Sequence, residues 1–283
     1  MTIDLISLHG GHSGEFCCHA EDRLEDFIRQ YIRLGFKRVG ISEHIPPASN
    51  RFLYPDETAL GLTARDLMVR FERYFKTLNA LKQAYRDRIT IYAGMETETT
   101  TGYTAHISKL AATFQPDYLV GSVHHVNDIC FDFSASEYEN AVSACGGMNP
   151  LYEAYFDLQH EMINRIRPFV VGHFDLVRIF DPDYEQRLLR PNIAKKIERN
   201  LALVKSLGLV LDFNLRPLAR GETKPYIAGS ILDMAREMDL CLVPGDDSHS
   251  AAEAGSHVDK AVALLKSRGF CTLWPEPKMM PMS

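Results

Sequence analysis

Several familiar signatures are missing from this chain. No apolar run approaches the roughly 18 residues of a membrane span. Six cysteines (17, 18, 130, 145, 241 and 271) are scattered, and no Cys-x-x-Cys occurs. Cys17 and Cys18 are adjacent and unsuited to pairing with each other, so reduced thiols in a cytoplasmic protein are expected. There is no glycine-rich P-loop and no Gly-x-Ser-x-Gly elbow, which disfavours nucleotide-driven kinase and serine hydrolase chemistry. Basic charge is not in excess: 31 Lys and Arg stand against 37 Asp and Glu, a formal net charge of −6. A general nucleic-acid surface is therefore not indicated, although a local basic pocket is compatible with that balance. The opening MTIDLISLHGG carries an acid and no basic segment, so no secretory signal is expected. Repeats and low-complexity tracts are absent as well.

What remains is an ordinary globular composition, with 283 residues, 46% hydrophobic and 24% charged. The pattern predicts one domain over residues 1–283. β-forming runs fall at about 3–8, 37–41, 89–94, 117–122, 169–172, 208–213 and 239–243. Helical periodicity fills 22–34, 63–86, 103–113, 151–166, 183–206, 227–238 and 251–267. RLGFKRVGIS and KSLGLVLDF share one grammar: helix, glycine stop, buried strand. Such alternation argues for a parallel sheet with helices outside. Seven units favour a closed or nearly closed (β/α)7 barrel, with an open doubly wound sheet as the alternative. Two segments break the rhythm, 45–62 and the long connection 126–150. Both follow candidate site residues, so both are expected on the active-site face. The tail PEPKMMPMS reads as mobile.

Seven of the eleven histidines sit in short clusters flanked by Gly, Ser or acids, nearly all just after a β-forming run. His9, His12 and His19 follow IDLISL, His44 follows KRVGIS, and His124 follows PDYLVGSV. His173 follows FVVG, and His249 follows LCLVPGDDS. Two carboxylates keep the same company, Glu96 after ITIYAGM and Asp247 just before His249. A lone histidine is more often a surface or core residue than a ligand. Recurrence at one structural position is harder to explain that way, because strand ends are where a barrel delivers its ligands. Imidazoles suit Zn, Fe or Mn, and a carboxylate can bridge two such ions. Bridged ions hold a hydroxide nucleophile and clamp phosphate oxygens, so a metal-dependent hydrolase is the leading expectation.

The set LHGGHSGEFCCHA, SEH, GMETE, GSVHH, GHFD and GDDSH, taken in order, resembles the PHP (polymerase and histidinol phosphatase) family, and within it the histidinol-phosphate phosphatase branch. The likeness runs from the first strand to about residue 270. It implies a distorted (β/α)7 barrel with three divalent ions (Zn, Fe or Mn). His9, His12, Glu96 and Asp247 would hold one ion. Glu96 would bridge to a second, completed by His124 and His173, while His19, His44 and His249 would hold a third. There are departures. The family opens with His-x-His, whereas two residues separate His9 from His12, so either the extra glycine bulges or one histidine is displaced. DDSH stands where the family commonly shows SDAH, which makes Asp246 a neighbour rather than a ligand.

The resemblance implies hydrolysis of L-histidinol phosphate, a small-molecule monoester of histidine biosynthesis. The alternatives are another phosphoesterase of the superfamily, a metal-holding barrel without catalysis, or an amidohydrolase-like barrel. A phosphate needs cations that fork onto it, for which Arg is best suited. Arg178 in GHFDLVR and Arg220 in NLRPLARGETK are the candidates, with Asn214 beside them. Arg216 and Lys224 read more readily as solvated loop residues. Asp247 and Glu96 are the candidate catalytic groups. Glu43, Asp175 and Glu98 flank ligands and are expected to orient imidazoles. Cys17 and Cys18 read as packing residues and His125 as a substrate contact or surface group. His106, His160 and His257 are expected at the surface.

Overall fold

Helix Leu24–Leu34 shows how the alternation works. Leu24, Phe27, Ile28 and Tyr31 share one face and are buried. Glu25 and Asp26 lie in the first turn and Arg33 in the last, matching the helix dipole. Gly35 then takes φ 88°, a left-handed value that glycine adopts without strain. The Gly35 and Phe36 amides return to the carbonyls of Ile32 and Tyr31. The chain turns at once into a strand.

The computed structural model describes residues 4–283. In chain order the described strands are β1 (Arg38–His44), β2 (Thr90–Glu96), β3 (Tyr118–Gly121), β4 (His125–Val126), β5 (Ile129–Cys130), β6 (Val170–Val171), β7 (Val210–Asn214) and β8 (Leu242–Gly245). Six form one parallel sheet in the order β1-β2-β3-β6-β7-β8, and β4 and β5 form a separate antiparallel hairpin. The run expected as a strand at 3–8 is not a ladder strand in its described part, residues 4–8. It nevertheless occupies a strand's place between the sheet's two edges. Ser7 O accepts from Gly40 N of β1 at 2.8 Å, and Leu8 N donates to Pro244 O of β8 at 3.1 Å. Pro244 has no N–H to return, which keeps this contact short of a ladder. The segment bridges β8 and β1, so the sheet curls into a distorted (β/α)7 barrel and not an open doubly wound sheet. From inside, the Tyr118 hydroxyl donates to Leu8 O at 2.9 Å and ties the bridging segment to β3.

Other departures have local causes. The connection 126–150 is largely ordered, holding the β4–β5 hairpin, helix Ala135–Cys145 and the start of helix Met148–Ile166. The helical stretch 183–206 divides into Tyr184–Leu188 and Pro191–Leu207, because Pro191 opens a helix and cannot continue one. The last helix starts only at Val258, after turns that include Gly255 at φ 73°. The tail is tied down: Ser283 N donates to Arg165 O at 3.0 Å, and Met279, Met280 and Met282 pack on the core. No described helix is long and apolar enough to cross a membrane.

Candidate metal centre at the barrel mouth

Parallel strands present all their C-terminal ends on one rim. Here β1 ends at His44 and β2 at Glu96, and the two are in register. β3 leads through Ser122 to His124, β6 through Gly172 to His173, and β8 to Asp247. The bridging segment ends at His9.

Glu96 is the centre of the cluster. Its Oε1 lies 3.2 Å from His9 Nε2, 3.3 Å from His124 Nε2 and 3.1 Å from His173 Nε2. Its Oε2 lies 3.4 Å from His12 Nε2 and 3.3 Å from His44 Nδ1. Asp247 Oδ1 is 3.3 Å from His12 Nε2 and 4.0 Å from His9 Nε2. Asp247 holds this position at φ 44°, an uncommon backbone conformation for a residue with a side chain. The His249 ring lies 4.8 Å from that of His12, and the His19 ring 5.1 Å from that of His249. His19 stands furthest out, with its Nδ1 3.5 Å from Asp56 Oδ2.

The extra residue between His9 and His12 displaces neither imidazole from Glu96. The loop is braced by Asp247 N donating to His9 O at 2.9 Å and His12 N donating to Ser248 O at 2.8 Å. Glycine is needed in between: a Cβ on Gly10 would lie 2.1 Å from Gly40 O, and one on Gly11 2.5 Å from the Phe27 ring.

A ring of carboxylates grips the far side of these imidazoles. Asp212 Oδ2 faces His9 Nδ1 at 2.7 Å and accepts from the His173 amide at 3.2 Å. Glu43 Oε1 faces His12 Nδ1 at 3.0 Å. Glu98 Oε2 faces His124 Nδ1 at 3.0 Å and His125 Nδ1 at 3.1 Å, and its Oε1 accepts from the Tyr54 hydroxyl at 2.9 Å. A carboxylate on Nδ1 sets the tautomer that leaves Nε2 with a lone pair aimed inward. Several atoms that point inward lack partners. His9 Nε2, His12 Nε2, His44 Nδ1 and Glu96 Oε2 are buried with no hydrogen bond. Leaving such atoms unsatisfied costs about 1–3 kcal/mol each, so a cluster of them fits a cation site better than a packing accident. Four overlapping donor groups are close enough to hold an ion: His9/His12/Glu96, His9/His173/Asp247, His44/Glu96/His124 and His12/His44/His249. Their chemistry, imidazole with carboxylate, suits Zn, Fe or Mn.

Electrostatics agree. Burial alone would push Glu96 and Asp247 toward the neutral acid, but the surrounding histidines hold both well below the usual carboxylate range. Burial would lower His12, yet Asp247, Glu43 and Glu96 raise it to about 10. His9 and His124 are likewise raised against burial by neighbouring carboxylates. The carboxylates that favour a positive charge on His9, His12 and His124 would attract cations for the same reason.

With this geometry in view, the match to known proteins is decisive. The PHP domain pattern matches residues 8–216. The chain belongs to the PHP domain family. A Schizosaccharomyces pombe protein named "Probable histidinol-phosphatase" is 35% identical to this chain over 273 residues, covering 95% of this chain and 88% of its own length. The Saccharomyces cerevisiae histidinol-phosphatase is 28% identical over 305 residues, covering 94% and 90% respectively. The solved hisK protein of Listeria monocytogenes superposes with a TM-score of 0.77 at 26% identity, over 90% of this chain and 99% of that one. The histidinol phosphate phosphatase of Lactococcus lactis, solved with zinc, L-histidinol and phosphate, shares the fold with a TM-score of 0.71 at 19% identity, over 95% of each chain.

Above the cluster lies an open cleft, and its lining sorts the remaining candidates. Arg220 and Arg216 line it. Arg178 does not. Its guanidinium is buried between Tyr184 and Tyr226, donating to Asp175 Oδ2 at 3.0 Å and Pro225 O at 2.6 Å. That fork is already committed, so Arg178 braces Tyr226, which is part of the cleft wall. Asp175 correspondingly pairs with Arg178 and the Ala228 amide, not with an imidazole. Asn214 is buried below the cleft and donates to Asp212 and Asp247 at 3.0 Å each. Its place is beside the Asp247 carboxylate. Asp246 anchors Tyr31, Ser248 and Gly255. His125 is buried and bonded to Glu98; it is not a surface group, and it lines an adjoining pocket together with His19, His44 and Tyr54. His106, His160 and His257 are half-buried and outside the cluster.

Asp212 and Tyr54 escaped the reading of the sequence. Asp212 had a signal: an acid at the middle of the apolar strand VLDFN must find a buried partner. Tyr54, in a loop rich in proline and polar residues, had none.

Proposed function

We propose that this chain hydrolyses a phosphate monoester, L-histidinol phosphate, to L-histidinol and phosphate, as a step of histidine biosynthesis in the cytoplasm. The observation that carries the reading is the group of unpartnered inward atoms around Glu96, set beneath a cleft lined by two arginines. The relatives named for this activity over nearly their whole lengths support it.

Three ions would be held: one by His9, His12, Glu96 and Asp247, a second by Glu96, His124 and His173, and a third by His19, His44 and His249. Divalent cations there would activate water and stabilise charge on the phosphoryl oxygens. The protein's own part is positional. Arg220 and Arg216 would draw the phosphate dianion into the cleft and hold its outer oxygens, with Arg216 oriented by Glu253 at 2.7 Å. Glu96 keeps five imidazoles at one point. Asp247, held anionic by His9, His12 and His249 and with its second oxygen fixed by Asn214, would accept a proton from the attacking water and return it to the departing L-histidinol oxygen.

The test is phosphate release from L-histidinol phosphate, p-nitrophenyl phosphate and bis-p-nitrophenyl phosphate by metal-loaded protein. Preference for L-histidinol phosphate is expected. Preference for the diester would replace the reading with a phosphodiesterase. Metal analysis on the purified chain checks the number and identity of the ions.

A further inference from the structure

The charges that line the cleft are nearly all paired. Glu96 and Asp247 face the histidine cluster, His19 faces Asp56, and Arg216 is bonded to Glu253. Two are left over. Arg220 is exposed on the rim and has no carboxylate within 4.0 Å among the described residues. Asp132 is half-buried in the wall and likewise has no basic group within 4.0 Å among the described residues. Its sole bonded neighbour is the Cys130 thiol, at 3.2 Å from Oδ1. Both line the cleft from different connections, Asp132 from the one after β5 and Arg220 from the one after β7. The same lining includes Phe133, Leu176, Ile179 and Tyr226, with Phe133 39% exposed.

A cleft with one spare cation, one spare anion and apolar walls complements a ligand of matching pattern. Plain phosphate or a neutral monoester would leave Asp132 without a partner, and worse, a carboxylate near a phosphate dianion repels it. We infer that Asp132 is a specificity-determining residue that receives the protonated amine of a zwitterionic phosphomonoester, while Arg220 and the metal cluster take its phosphate. This rests on the phosphatase reading above and assigns the group that would recognise the amine of its substrate. L-histidinol phosphate belongs to that class, its amine being protonated at neutral pH. Phe133 and Tyr226 then offer aromatic faces to the remainder of the molecule. The charge on Asp132 thereby turns a general phosphate trap into a selective one, because esters without the cation meet uncompensated repulsion.

The experiment compares L-histidinol phosphate with its des-amino analogue, 3-(imidazol-4-yl)propyl phosphate, on the metal-loaded chain. The native protein is expected to favour the aminated ester by about tenfold or more in kcat/KM, the size of a charge-assisted hydrogen bond. Asp132→Asn, which keeps the shape and removes the charge, should bring the two esters within about twofold, mainly through KM. Asp132→Glu should restore part of the preference. An unchanged ratio in Asp132→Asn, or equal use of both esters by the native chain, overturns the inference and leaves the phosphatase reading standing. If no monoester is turned over, the phosphatase reading fails, and calorimetric titration decides the Asp132 assignment. Tighter binding of L-histidinol than of its des-amino alcohol, lost in Asp132→Asn, supports it, and equal binding overturns it.

Discussion

The floor of the cleft and its wall are built by different rules. On the floor, His9, His12 and His124 each have a carboxylate on Nδ1, and Glu96 is held again by the Ser122 hydroxyl at 2.7 Å. These residues leave strand ends whose register admits no slippage, since moving one residue would turn every side chain to the other face. On the wall, Arg220, Asp132 and Phe133 sit on connections after β7 and β5, and each has few partners. The difference teaches that the chemistry is fixed by the barrel while the choice of substrate is left to segments that can vary without disturbing it.

Removing the hub should separate the two regions most sharply. Glu96→Ala is expected to abolish activity and cut metal content, measured by metal analysis and turnover together. Retention of full metal would show that the floor does not depend on Glu96. Proton competition comes next. Metal must displace the proton that His12 holds up to about 10 and those on His9 and His124, so affinity should rise at least about tenfold per pH unit below that value. The metal-free chain should behave oppositely. A raised folded value means that this group's stabilisation is complete below its unfolded value near 6.5 and is lost as pH climbs toward 10. Thermal melts of chelated and loaded protein at pH 6.5 and 9.5 should therefore diverge more at the higher pH, and a constant gap would contradict the ring of carboxylates as its cause.

Asp212→Asn probes the support beneath the floor. It should weaken metal binding by about 10–100-fold while leaving the fold intact, read by metal titration and circular dichroism. The smallest change belongs to the wall. Arg220→Ala should retain the metals and raise KM for the monoester by about tenfold, with little loss in kcat. Equal loss of metal in Asp212→Asn and Arg220→Ala would erase the distinction between floor and wall.

The floor was also the more legible region. Glycine stops, β-forming runs and the recurrence of His or acid just after them pointed to the barrel and to nine candidate donors, eight of which fall in the four donor groups; the ninth, His19, belongs to none of them among the described residues and faces Asp56. Each of those signals is local: a strand's end and the residue following it are adjacent in the chain. The wall was not legible in that way. Arg178 and Arg220 looked alike as arginines near a strand end, and Arg216 looked the poorer candidate. Their difference lies in what each meets. Arg178 is enclosed by Tyr184 and Tyr226 and bonded to Asp175, contacts made across 3, 6, 47 or 48 positions of sequence. Asp132 lay in a stretch whose grip on substrate could not be ranked from sequence, because its value comes from lacking a partner, which is a property of space.

Composition, periodicity and the placement of histidines after strands were enough to set the architecture and the kind of chemistry, because hydrophobic burial and strand geometry are encoded residue by residue. Tertiary structure alone decided which charges are spent on one another and which remain for a ligand. Coulomb and hydrogen-bond partners are chosen by distance after folding. For that reason Asp212 became the brace of His9, Arg178 became a wall support, and Arg220 and Asp132 were left facing the open cleft.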